Sequence, residues 1–171
     1  FAENGLPATT KEKNIPAWVP QTIKIDDTSD TLQLILHLSN FEHARGGAYK
    51  EIVLGDTDRL VREKEQTNVL DFSLAGCLFM GGLFFLGLYL FGKHDKATLF
   101  FSLFCIAYSY RIIGAEFYSL HAVFPQLPWA LTIHAEYLAL YFSVGFFALY
   151  TESLYAEDAI KPITYLIIGV C

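Results

Sequence analysis

The chain has 171 residues, 53% of them apolar and 18% charged, with a mean hydropathy of +0.35. Soluble domains usually carry about 45–50% apolar and about 25% charged residues, so an ordinary soluble domain is excluded for at least part of the chain. The net charge of −6 makes nucleic acid a poor partner, because phosphate binding needs clustered Lys and Arg.

The charge is unevenly spread. Residues 1–68 hold most of it, whereas residues 69–171 hold most of the Phe, Leu and Tyr. Two parts in two different solvents are expected. The chain starts at Phe1 and ends at Cys171 within an apolar run, so it reads as a piece of a longer protein.

In chain order, residues 21–25 (QTIKI) form a short strand candidate, and 26–30 its connecting turn. Residues 31–39 (TLQLILHLS) place Leu32, Leu34, Leu36 and Leu38 at alternate positions, the period of a strand with one apolar face. Residues 40–47 (NFEHARGG) supply a turn of Asn and Gly, and 49–54 a further strand closed by Gly55. About three strands are too few for a stable sandwich, so the remaining strands are expected upstream of Phe1. Residues 1–55 are therefore read as the end of an extracytoplasmic β-sandwich, and 56–69 as a charged connector.

Residues 70–171 read as a membrane helical region. The run 72–91 (FSLAGCLFMGGLFFLGLYLF) has no charge. Twenty such residues at ~1.5 Å rise span ~30 Å, the thickness of a bilayer core. Further spans are expected at about 97–113 and 129–150, and a fourth begins at 162–171, cut short. Pro162 suits the first turn of that last helix. The basic loop 92–96 favours the cytoplasm and the 115–128 loop, without Lys or Arg, the outside. The N-terminal segment is then extracytoplasmic, although Arg59, Arg62 and Lys64 oppose that count. Tyr108, Tyr110, Phe117, Tyr118 and Trp129 would anchor the outer interface. Ser73, Cys77 and Gly81 form a small-residue stripe for packing within the bundle, with a homodimer as the alternative.

Residues 34–55 (LILHLSNFEHARGGAYKEIVLG) resemble the end of the sensor domain of the bacterial seven-transmembrane receptors with diverse intracellular signalling modules. The matching positions are Ser39, Asn40, Gly46, Gly47, Leu54 and Gly55. The helical half is similar too: a Gly-rich first helix with a basic loop, LFFSLF at 99–104, and FPQLP at 124–128 before the third helix. The resemblance implies a jelly-roll outer domain that binds carbohydrates or other small molecules. It also implies a cytoplasmic output module, such as a kinase, cyclase or phosphatase, and the inner membrane of a bacterium as location.

Ionisable residues in apolar runs are the functional suspects, since charge in hydrocarbon is costly. Arg111 is placed to pair with Glu116 or Glu136, or else to snorkel to the interface. His134 and Glu136 are two apart and share no helix face, so they make no chelating metal pair. His37, His43 and Arg45 are candidate ligand contacts in the outer segment, with a solvated turn as the plainer reading. Gly46 and Gly47 set backbone geometry. The three cysteines, Cys77, Cys105 and Cys171, have neither zinc nor disulfide spacing. No catalytic motif, cofactor or metal site is expected from this chain. The alternative function is a transporter or intramembrane enzyme that uses Arg111, His134 and Glu136.

Overall fold

The structure is a computed structural model that describes residues 3–17, 19–25, 31–41, 51–92, 94–115, 118–157, 164, 166 and 169. The chain divides into two compact units, residues 1–67 and 68–171.

In the first unit the expected β-sandwich is absent: the described residues contain no strand. They hold one isolated antiparallel bridge, Leu6 to Ile15, and one 3-10 turn, Lys11–Lys13. Residues 21–25 and 31–39 have no ladder, and neither do 51–54. Alternation fixes which side chains would share a face. It does not supply the neighbouring backbone that a ladder must bond to. Leu32, Leu34, Leu36 and Leu38 are each 46–56% exposed, so no apolar face is buried. Residues 42–50, with His43, Arg45, Gly46 and Gly47, lie outside the described residues.

Side chains hold this unit together instead. Asn4 donates to the Val19 carbonyl at 2.7 Å and accepts from the Val19 amide at 3.1 Å. Ser39 Oγ donates to Asn14 Oδ1 at 2.6 Å and accepts from the Ala8 amide at 3.2 Å. Lys64 Nζ donates to the Pro20 carbonyl at 2.8 Å.

Helix α1 is Thr57–Phe91. Asp56 starts it, accepting from the Arg59 amide through Oδ1 at 3.0 Å. The Arg59–Glu63 pair, one turn apart at 2.8 Å, supports its charged first turns. The connector is thus the beginning of the first apolar helix. Its 35 residues at ~1.5 Å rise make a helix about 52 Å long.

Helix α2 is Lys96–Gly114. Asp95 caps it, accepting from the Ala97 and Thr98 amides at 3.4 and 3.3 Å. Helix α3 is the short Ser119–Val123, and α4 is Trp129–Leu154, entered through Pro128. Of the expected fourth span, Thr164, Leu166 and Gly169 are helical, and the rest of 162–171 lies outside the described residues. Among the described residues three helices, α1, α2 and α4, are long and apolar enough to cross a membrane.

In the second unit α2 lies between α1 and α4, antiparallel to both. Phe101 packs on Tyr150 and Phe104 on Phe147, with ring centroids 5.2 and 5.3 Å apart. On its other side Phe101 meets Phe85 of α1 at 5.0 Å, so one ring ties three helices. The buried seam positions are small: Ala75 and Gly82, then Ser102, Cys105 and Ser109, then Thr132, Ala139 and Ser143. Lipid is as apolar as Leu, so close backbone approach between small residues drives packing here. The stripe expected on α1 is not this seam. Ser73 and Cys77 are exposed, and a Cβ on Gly81 would meet nothing within 4 Å.

Candidate functional site

The polar side chains of the bundle gather where α1 enters it, α2 ends and α4 begins. Each arrives by a different route. Arg111 sits in the last turn of α2, and Glu136 lies two turns into α4. Arg111 Nη1 donates to Glu136 Oε1, with the two side chains 30% and 16% exposed. Antiparallel packing brings them to one level. Each charge is the other's compensation in an apolar surround.

A second polar link joins α1 to α3. Ser119 Oγ, 1% exposed, donates to Asp71 Oδ2 at 2.7 Å. His121 lies half a turn further on α3, 8% exposed, and its Nδ1 has no hydrogen-bond partner. Its ring lies 6.2 Å from Tyr118 and 6.0 Å from Trp129, and the Tyr118 and Trp129 rings meet at 4.7 Å. Tyr118 takes a left-handed conformation, φ 50 and ψ 47, to turn the chain into α3. One turn below Trp129, Thr132 is fully buried and its Oγ1 has no partner.

Some expected site residues stay apart from this cluster. His134 Nδ1 donates to the Ala130 carbonyl at 2.6 Å from an exposed position on α4. His37 is exposed. Glu116 lies outside the described residues. Ser39 and Asn40 belong to the first unit, where Ser39 bonds Asn14 and Ala8. Gly55 precedes α1, and a Cβ there would only touch Leu60 at 3.7 Å.

Asp71, Ser119 and His121 escape sequence reasoning. Asp71 stands at the edge of the membrane region, one residue before the uncharged run 72–91, and is not singled out among the charges in apolar runs. His121 stands in a short stretch that reads as loop. The available signal was an acid flanked by Leu70 and Phe72, a charge that helical packing would draw into the bundle.

Chemically, the cluster binds helices to one another through one ion pair and one charge-assisted hydrogen bond. Among the described residues no group of three or more His, Cys, Asp or Glu could hold a metal ion.

The family model described as 7TM diverse intracellular signalling matches residues 67–171. No curated protein and no solved structure matches the chain.

Proposed function

This chain belongs to the family of 7TM proteins of diverse intracellular signalling, and we propose on that ground that it is the sensing and transmitting part of a transmembrane receptor. The N-terminal unit faces outward and meets a small molecule, a carbohydrate among the candidates. The helices carry the event to a cytoplasmic output module in the full-length protein. The location proposed is a bacterial inner membrane.

One observation carries this reading. The charged start of α1 and its apolar remainder are a single helix, Thr57–Phe91. A bilayer core takes up only ~30 Å of its roughly 52 Å, so the same helix that crosses the core carries charged turns outside it on which a push or twist would act. For a ligand to signal, it must bind one position of that helix better than another.

The test is a flexible Gly-Ser insertion between Glu65 and Asn68 in the full-length receptor. Output should lose its response to ligand while binding to the outer unit is kept. An insertion variant with normal output would refute transmission through α1. The transporter or intramembrane-enzyme alternative gains nothing from the site, because His134 bonds its own helix and does not join Arg111 and Glu136.

A further inference from the structure

We infer that α3 is a strained strap, poised to leave its seat against α1, α2 and α4 and in doing so to release Asp71.

Two features work against the docked position. Tyr118 enters α3 with φ 50, a left-handed backbone that disfavours a large side chain. His121 is buried with Nδ1 sealed from solvent and unpartnered. A buried polar atom without a partner destabilises the state that buries it. Nor can α3 hold itself: five residues are far below the length at which a helix is stable alone.

Packing against α2 helps to hold it docked, together with contacts to α1 and α4. Ser119 bonds Asp71 on α1 at 2.7 Å, and Tyr118 and His121 lie against the Trp129 ring of α4. When α3 leaves, His121 Nδ1 reaches water, Tyr118 is free to return to an ordinary backbone conformation, and Trp129 is uncovered. The carboxylate of Asp71 is then free on the helix that carries the signal. Strain stored in a short segment that cannot hold its own conformation is the arrangement expected of a two-state element. Only the strap's consequence for signalling rests on the receptor reading; its motion does not.

Hydrogen exchange of residues 118–124, measured in the full-length protein in lipid nanodiscs, reads the opening directly. His121→Phe keeps a ring against Trp129 and removes the unpartnered nitrogen. Exchange should slow by about fivefold or more. His121→Leu serves the same purpose if the larger ring disturbs folding. Asp71→Ala removes the acceptor of Ser119, and exchange should quicken by a similar factor. Exchange that is unchanged or faster in both His121 variants overturns the strap, and so does unchanged or slower exchange in Asp71→Ala. Output is not read in this experiment, so its failure leaves the receptor proposal standing.

Discussion

Arg111 of α2 and Glu136 of α4 form the one ion pair that joins two helices of the bundle among the described residues. The pair lies about two to three turns along α2, and about three to four along α4, from the aromatic contacts Phe104–Phe147 and Phe101–Tyr150 on the same interface. The α2–α4 seam is therefore uncharged along most of its length and ionic at one end. An ionic end fixes register, because sliding by one turn would strand both charges in hydrocarbon.

Breaking that pair should be costly. Glu136→Gln leaves the Arg111 guanidinium partly buried beside a neutral amide, and the loss expected is on the order of 3 kcal/mol. Thermal unfolding in detergent should show a clearly lowered Tm. The double variant Arg111→Met, Glu136→Leu should recover much of it, because both charges go together. Equal losses in single and double variants would show that the two residues act independently.

Glycines on α1 should divide sharply. A Cβ on Gly82 would stand 2.8 Å from Ile106 Cγ1 and 3.2 Å from the Ile106 backbone nitrogen. Gly82→Ala should cost about 1–2 kcal/mol, since the backbone of α2 cannot yield as a side chain can. A Cβ on Gly76 or Gly81 meets nothing within 4 Å. Ala at either position should be neutral or stabilise by up to about 1 kcal/mol through helix propensity. Unfolding of the three single variants in the same detergent compares them directly.

The contrast between Gly81 and Gly82 also marks how far the sequence could be read. The transmembrane character of the chain was legible, because an uncharged run such as 72–91 has few other homes. Which face of α1 packs was not. Ser73, Cys77 and Gly81 look as good as Ala75 and Gly82 until α2 is in place. The leucines at 32, 34, 36 and 38 misled for a similar reason: alternation describes one strand and says nothing of its neighbours. Arg111 and Glu136 stood out as charges in apolar runs, but the choice between Glu116 and Glu136 needed the antiparallel register. Asp71 and His121 were hidden at the margins of elements, where charge and loop composition look ordinary.

Thr132 gives a prediction of opposite sign to Glu136. Its hydroxyl is buried and unpartnered at the start of α4. Thr132→Val keeps the branched shape and removes the uncompensated oxygen. Stability should hold or rise by about 1 kcal/mol. A fall in Tm would mean that the hydroxyl finds a partner in the membrane-embedded protein.

In the first unit the strongest local requirement falls on Gly5. Its φ is +71, and a Cβ there would come within 2.1 Å of the Ile15 carbonyl oxygen. That carbonyl accepts from the Leu6 amide at 2.9 Å, while the Ile15 amide donates to Leu6 at 3.0 Å. Gly5→Ala thus forces a backbone carbonyl to move and adds left-handed strain of about 1–2 kcal/mol. The Leu6–Ile15 bridge should open, with faster amide exchange at both residues and earlier cleavage by protease near Ile15. Gly55→Ala is the matched control, as its Cβ would make only ordinary contacts with Leu60 at 3.7 Å. Unchanged exchange at Leu6 and Ile15 in Gly5→Ala would mean that the bridge does not depend on this backbone conformation.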